Sequence, residues 1–329
     1  MKILRNTIDS FTVLKNDQQL ANDKLKLKKT AKKFIFTLFS LIVLIGIAYI
    51  ILSPLIEIFT HAFFSDNDAT DPMVYIIARN HTTEKFKAVI KVMKYWTILR
   101  STMLNDIILM IIQVIICSMV GYGFARFDFP FKKILFAFVV VMIVVPSHAI
   151  MLPLYIVFRS FDVFGIVKLF NHGEAMNLLK TMKPIYIMTA LGCGLNSGIY
   201  IYIFNQFFRG LPKEIEEAAF VDGAGTFYTY FRIMLVNAIP SVITVSVFSI
   251  VWQYNDFFFI KLFKVADWIS VKVSTVYDSI GNIYRINSPT INQLYLDAAI
   301  VLDLLPVLII YMVLQKYFVE GVERSGIVG

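Results

Sequence analysis

Residues 217–224 read Glu-Ala-Ala-Phe-Val-Asp-Gly-Ala, and after eight further residues the chain reads Ile-Met-Leu at 233–235. This stretch belongs to a polar cassette, residues 211–235, that lies between two long apolar runs. A charged segment with glycines at 223 and 225 is not suited to span lipid, because each charge in hydrocarbon is costly. The pattern therefore predicts a surface outside the bilayer that is offered to another molecule.

The composition places the rest of the chain in a membrane. Of 329 residues, 58% are hydrophobic and only 16% are charged, which is far more apolar than a soluble domain. A run of about 20 apolar residues matches a hydrocarbon layer of roughly 30 Å. We therefore predict an all-α membrane protein with six transmembrane helices, at 34–59, 104–125, 134–158, 184–208, 239–260 and 298–318.

The basic N-terminal segment, residues 1–33, predicts the orientation. Basic residues next to a span favour the cytoplasmic side, and six of them crowd the end of this segment: Lys24, Lys26, Lys28, Lys29, Lys32 and Lys33. Six spans then return the C-terminus to the cytoplasm. The first apolar run is too long for a signal peptide and lacks a small-residue cleavage site. Residues 34–329 form one membrane domain, in which the loop 60–103 is predicted to be extracellular.

Within that loop, residues 84–100 have apolar side chains near helical spacing. We expect an amphipathic helix here that lies on the bilayer surface or on a neighbouring subunit. In the third span, Pro146 and Pro153 predict kinks. In the fourth span, Gly194 and Gly198 permit a close approach of helices, either inside the subunit or at a moving interface.

Several function classes have no support in the residues. The two cysteines and four histidines show no ligand spacing, so no metal site is expected. The net charge of +8 arises mainly from the N-terminal cluster, which indicates a membrane and not a nucleic acid. The chain has no Gly-x-x-x-x-Gly-Lys-Ser/Thr phosphate loop, so it is not expected to hydrolyse ATP. No catalytic residue and no bound cofactor are predicted.

The cassette predicts two short helices with a turn between them. Pro212 suits a first helical turn, and the glutamates that follow it complement the helix dipole. Gly223 and Gly225 can end this helix and reverse the chain. One face of the first helix would then carry small side chains fit for another protein's groove: Ile215, Ala218, Ala219 and Asp222. The alternative is an interfacial hairpin that merely connects two spans.

This region resembles the EAA loop of bacterial binding-protein-dependent ABC permeases. The run into it, Phe-Phe-Arg-Gly-Leu-Pro at 207–212, and Pro240 beyond it also match that family. Where the family usually has proline after Ile-x-Leu, this chain has Val236, which leaves the kink before the fifth span an open question. Further stretches resemble the carbohydrate branch, the maltose-permease-like family: residues 121–130, 146–155, 252–257 and 321–329. The resemblance covers residues 104–329.

The resemblance implies a type I ABC-importer permease fold with a cytoplasmic coupling helix, in a bacterial cell membrane. It implies three kinds of partner besides the lipid bilayer: a second homologous permease, giving a heterodimer, two ATP-binding subunits that bind ATP and magnesium, and an extracellular solute-binding protein. Carried onto this chain, Glu217 is the main contact to the ATP-binding subunit, Ala218 and Ala219 are the flat docking surface, Asp222 stabilises the loop, Gly223 is the hinge and Ala224 completes the motif.

The cargo implied by the resemblance is a carbohydrate, most simply an oligosaccharide. Trp252, Tyr254 and Asn255 lie together near the end of the fifth span and are candidates for the substrate path. The alternative is an aromatic belt at the membrane surface. Two other functions are weighed: an ABC permease for glycerol phosphate, a polyol or another small solute, and an ATP-independent secondary transporter. The latter would need ionisable relay residues in the spans or inverted repeats of broken helices, and few of the spans' residues qualify.

Overall fold

The computed structural model describes the backbone of residues 2–326, and the side chains of residue 29 and of residues 32–146, 148–313 and 315. This description leaves out the side chains of Lys24, Lys26, Lys28 and residues 321–326, and the whole of residues 327–329. The chain forms two compact units, Met1–Thr60 and His61–Gly329. We describe each unit by itself.

The first unit is dominated by one long helix, α1 (Lys2–His61). Its membrane-spanning part, Lys32–His61, has no buried residue in its most apolar stretch. Apolar side chains surround this part on all sides, as expected of a helix whose solvent is lipid. The first predicted span, 34–59, is therefore confirmed as a helix.

The second unit is also helical. In the described part of the chain, β-pairing is limited to two isolated bridges, Phe64 with His81 and Phe161 with Met176. A short 3₁₀ turn (Ser147–Ile150) and a π-helix (Tyr230–Met234) complete the series. The α-helices in chain order are α2 (Asp66–Thr70), α3 (Glu84–Met93), α4 (Tyr95–Arg126), α5 (Lys132–Val144), α6 (Met151–Arg159), α7 (Ile166–Phe170), α8 (Lys183–Ala190), α9 (Ser197–Gly210), α10 (Glu214–Val221), α11 (Thr226–Thr229), α12 (Leu235–Asn237), α13 (Ile239–Tyr254), α14 (Phe258–Leu262), α15 (Ile269–Tyr284) and α16 (Pro289–Gly326).

The predicted spans correspond to helices of three kinds. Three described helices are single pieces long and apolar enough to cross a membrane: Lys32–His61, Tyr95–Arg126 and Pro289–Val313. Two bent pairs, Lys132–Val144 with His148–Arg159 and Thr226–Asn237 with Ile239–Tyr254, are long and apolar enough only when the two helices of each pair are taken together. The remaining predicted span, 184–208, is divided into α8 and α9. Gly192 and Asn196 in its gap have φ angles of 73° and 57°, which a continuous helix does not allow.

Several helix ends differ from the prediction. The helix expected over 84–100 breaks at Lys94, which is left-handed with φ 52°, and α4 begins at once with Tyr95. The second span is thus longer than predicted, and the last begins at Pro289 instead of 298. Helix α15 was not predicted, because its apolar residues are interspersed with polar ones and form no long run. Its buried residues are Ile269, Val276 and Ile280, while Ile283 is 61% exposed.

The kink predicted from Pro146 is present, whereas Pro153 causes none. Helix α5 ends at Val144, and Val145 and Pro146 are extended, with ψ angles of 119° and 133°. A residue before proline is pushed out of the helical region by the proline ring, which explains the break at this point. Pro153 lies in the first turn of α6, where its missing N–H costs nothing.

Helix α4 is the centre of the second unit and packs closely against α9. At Gly121, an added Cβ would lie 2.7 Å from the Cβ of Phe204 and 3.0 Å from the backbone nitrogen of Asn205. Gly198 allows α9 a similar approach to α5, where a Cβ would lie 3.1 Å from the Cβ of Met142. The prediction of a close approach at Gly198 is thus confirmed, and the contact is inside the subunit.

The variant Gly121→Ala should lower the stability of the protein, because its methyl group has no space between α4 and α9. Overpacking of this kind costs about 1–3 kcal/mol. Gly123→Ala is the matched control, since a Cβ at Gly123 meets nothing within 4 Å, and it should be neutral or stabilising. Thermal unfolding of both variants in detergent is the measurement. Equal midpoints for the two variants would contradict this account of the α4–α9 contact.

Candidate functional site

The cassette 211–235 begins with the eight-residue helix α10. Pro212 lies two residues before the helix starts and not in its first turn as predicted. The first turn carries Glu214, Glu216 and Glu217. Negative side chains are stabilising here because the free N–H groups give the N-terminal end of a helix a partial positive charge. The local sequence therefore favours a helix that starts at this point.

Gly223 ends this helix and has a φ angle of +82°. Its N–H donates to the carbonyl of Phe220 at 3.0 Å, and the N–H of Ala224 donates to the carbonyl of Ala219 at 3.0 Å. This pair of bonds is a Schellman motif, the turn that glycine favours at a helix C-terminus. Gly225 differs, with φ −75° and ψ 161°, which any residue can adopt. The predicted turn is thus confirmed, and Gly223 alone has the special backbone.

Burial divides the predicted docking face of α10. Ala219 is only 5% exposed and packs inside the chain, so the prediction that places it on an exposed surface needs correction. Ala218, Glu217 and Asp222 are exposed, as is Gly223, and Ala224 is half-buried. The reason is that α10 lies with one side against the rest of the unit, and Ala219 is on that side. The free surface is therefore more acidic than predicted.

The buried side of α10 holds a charged residue that the sequence analysis did not single out. Glu216 is 7% exposed. One of its carboxylate oxygens accepts a hydrogen bond from the hydroxyl of Tyr122. The other lies 3.3 Å from Nε of Arg126. Arg126 also donates from its terminal nitrogen to the carbonyl of Leu211 at 2.8 Å. These contacts join the start of the cassette to the end of α4.

The second half of the cassette returns to the membrane through α11, the π-helix and α12. The bend between Thr226–Asn237 and Ile239–Tyr254 is 78°, and it occurs at Ala238, two residues before Pro240. Pro240 has no N–H to bond to the carbonyl of Val236, so the helix is interrupted there. The kink left open by Val236 is thus present, and Pro240 accounts for it.

Both halves of the cassette present apolar side chains. Val221 is 87% exposed, and Phe227 and Tyr228 are 71% and 60% exposed. Tyr230 and Met234, in contrast, are buried in the core that α4 and α9 form. Together with Glu214 and Glu217, the exposed side chains make a mixed acidic and apolar surface. Large exposed apolar side chains rimmed by charge are typical of a contact with another protein or with a membrane.

The structure separates the three residues predicted for a substrate path. Trp252 is 53% exposed and Asn255 is exposed, but Tyr254 is 1% exposed. The hydroxyl of Tyr254 donates to the carbonyl of Asp303 at 2.9 Å, and its own carbonyl accepts from the indole of Trp268 at 3.3 Å. Tyr254 therefore packs α13 against α16, while Trp252 and Asn255 face outward.

A buried polar cluster surrounds Gln113 of α4, which is fully buried. Its amide nitrogen donates to the carbonyl of Leu195 at 2.6 Å and to the hydroxyl of Ser197 at 3.1 Å. Its amide oxygen accepts from Ser249 at 2.8 Å and from Gln253 at 2.9 Å. One side chain thus links α4 to the start of α9 and to α13. Gln113 and Ser249 stand out in the sequence as polar residues inside apolar runs. The sequence does not show that the two side chains are hydrogen-bonded to each other.

The chain belongs to a known transporter family. Residues 113–324 match the family model described as "Binding-protein-dependent transport system inner membrane component". This match covers more than half of the chain and includes the cassette, the polar cluster and α4 from Gln113 onward. The protein is therefore the membrane component of a transport system that works with a binding protein.

The names of related proteins are consistent with this family, since they too are permeases. The chain is 29% identical over 212 residues to a probable ABC transporter permease protein of Pyrococcus horikoshii, covering 64% of this chain and 68% of that one. It is 26% identical to an arabinooligosaccharides transport system permease protein of Halalkalibacterium halodurans, over 71% of this chain and 75% of the relative. It is 23% identical to a maltodextrin transport system permease protein of Streptococcus pneumoniae, over 93% and 99%.

A solved structure shows the same fold. A bacterial ABC transporter involved in the import of the acidic polysaccharide alginate aligns with a TM-score of 0.65 and 19% identity, over 86% of this chain and 96% of that one. The predicted ABC-importer permease fold is thus confirmed.

Gly223→Val should loosen the cassette more than Gly225→Ala. A β-branched residue held at positive φ is strained by about 1–3 kcal/mol, while Gly225 has an ordinary backbone and open space around it. Hydrogen exchange of the α10 amides should therefore become about tenfold faster in Gly223→Val, as a loss of about 1.4 kcal/mol implies, and stay unchanged in Gly225→Ala. Similar exchange in both variants would remove the special role of Gly223.

Proposed function

We propose that this chain is a permease subunit of an ATP-driven importer of oligosaccharides. The observation that carries the proposal is the cassette, which presents an acidic and apolar surface next to a glycine turn in a chain of this transporter family. The cargo is supported by the relatives' names, which include arabinooligosaccharides, maltodextrin and melibiose, raffinose and stachyose. Several relatives that share the same family thus point to short sugar chains.

Helix α10 is the coupling helix in this proposal. Glu217 and Ala218 form its exposed contact with an ATP-binding subunit, Asp222 caps the helix, and Gly223 and Ala224 form the turn that fixes its direction. A partner groove that is apolar and lined by basic residues would fit this surface, because charge-assisted hydrogen bonds between arginine and carboxylate are strong. Ala219 supports the helix from its buried side.

The proposed assembly contains a second permease, two ATP-binding subunits and an extracellular binding protein. ATP and magnesium bind in the ATP-binding subunits, since this sequence has no phosphate loop. Both termini of this chain are proposed to lie in the cytoplasm, on the same side as the cassette, in a bacterial cell membrane. The exposed Lys29, Lys32 and Lys33 before the first span support this orientation.

Glu217→Lys should abolish uptake without harming the fold. It reverses a charge on the exposed side of α10, where the side chain contributes nothing to the packed core. In proteoliposomes with the partner subunits, uptake of radiolabelled maltotriose or raffinose should stop, and recovery of the ATP-binding subunit on the tagged permease should fall at least about tenfold, as expected for a central charged contact.

The matched control for this charge reversal is Glu174→Lys. Glu174 is exposed and lies outside the cassette, between α7 and α8, so uptake and subunit recovery should remain normal. Normal uptake by Glu217→Lys would mean that the cassette is only a connector between spans.

Trp252 and Asn255 are proposed to line the substrate path, because both are exposed near the end of α13. Trp252→Ala and Asn255→Ala should then lower uptake several-fold while ATP hydrolysis stimulated by the binding protein persists, since an aromatic face and an amide are typical sugar contacts and the cassette is untouched. If Trp252 instead anchors the helix at the membrane surface, Trp252→Ala should reduce the amount of protein and both activities in parallel.

A further inference from the structure

Three side chains on one face of α4 point to the cassette. Ser118, Tyr122 and Arg126 are spaced four residues apart, so they form a single stripe along the last two turns of the helix. The hydroxyl of Ser118 lies 2.6 Å from that of Tyr230 in the second half of the cassette. Tyr122 and Arg126 hold Glu216 in the first half. Both halves of the cassette are thus tied to the same helix.

Helices α9 and α13, which flank the cassette in the sequence, are connected to it less directly. Helix α9 ends at Gly210, and the chain is extended at Leu211 with ψ 141° before α10 begins. On the other side, the 78° bend at Ala238 separates the cassette from α13. A force on α10 therefore meets a break in the helix toward α9 and another toward α13. The polar contacts of Glu216 with α4 form a direct side-chain connection that bypasses both breaks.

We propose that Glu216 is a positioning residue that, with Tyr122 and Arg126, fixes the coupling helix to α4 so that the two move as one body. This inference rests on the proposed function, and it names the helix that receives the motion of the ATP-binding subunits. Helix α4 then carries the motion to Gln113, whose amide holds the start of α9 and α13. In this arrangement Glu217 receives the force and Glu216 passes it on.

The ion pair between Arg126 and Glu216 is buried, and its burial makes separation of the two side chains costly. The side chains of Arg126 and Glu216 are 5% and 9% exposed, so water cannot replace either partner when the helix is pulled. Loss of one partner leaves an unpaired buried charge, which costs far more than loss of an exposed ion pair. The geometry thus penalises any separation of α10 from α4 strongly.

The test compares Glu216→Gln and Tyr122→Phe with Glu174→Gln in the complete reconstituted transporter. Glu174 is an exposed glutamate outside the cassette and is the matched control. We expect recovery of the ATP-binding subunit to stay within about twofold of wild type in all three variants, because the exposed surface is intact. The ATP consumed per molecule of maltotriose or raffinose imported should rise about tenfold in the two test variants and not in the control.

Tyr122→Phe keeps the test decisive if Glu216→Gln fails to fold, since it removes only a hydroxyl. The double variant Glu216→Gln with Arg126→Gln provides a second check, because it leaves no unpaired charge and should fold yet remain uncoupled. A wild-type ratio of ATP to sugar in Tyr122→Phe and in this double variant would overturn the inference. If Glu217→Lys abolishes uptake while these variants keep the wild-type ratio, the proposed function stands and only this inference fails. Normal uptake by Glu217→Lys would instead remove the proposed function itself.

Discussion

The buried ion pair between Arg126 and Glu216 is the contact on which the arrangement of the cassette depends. Helix α10 has only eight residues, and an isolated helix of that length is not stable in water. Its direction must therefore come from contacts with the rest of the molecule. Glu216 and Ala219 supply them on the buried side, and this leaves the opposite side, with Glu217, free to meet a partner. The two adjacent glutamates thus have opposite environments.

Helix α4 unites the packing and the polar contacts of the second unit. Near its middle, Gln113 joins it to α9 and α13 through four hydrogen bonds, and one turn before its end Gly121 brings it against Phe204. In lipid, helices associate through such close packing and interhelical hydrogen bonds. The hydrophobic effect does not drive this association, because lipid tails are as apolar as the side chains of the helices. A helix held in this way at two levels can transmit a displacement along its length.

The sequence predicted those features that depend on local chemistry. Long apolar runs gave the spans because hydrocarbon thickness sets their length, and Gly223 was identified because its turn needs positive φ. Features that depend on distant residues were missed. The bond from Tyr122 to Glu216 joins positions 94 residues apart, and the burial of Ala219 follows from it. Helix α15 was missed because amphipathic helices do not form long apolar runs.

The most direct test of this account is the distance between two nitroxide labels, one replacing Val221 on α10 and one replacing Ile111 on α4, both exposed positions. Pulsed electron paramagnetic resonance on the reconstituted transporter would measure this distance in the nucleotide-free state and in the state trapped with ADP and vanadate. If α10 and α4 move as one body, the distance distribution has one narrow peak at the same position in both states. A shift or broadening of that peak upon trapping would contradict the account.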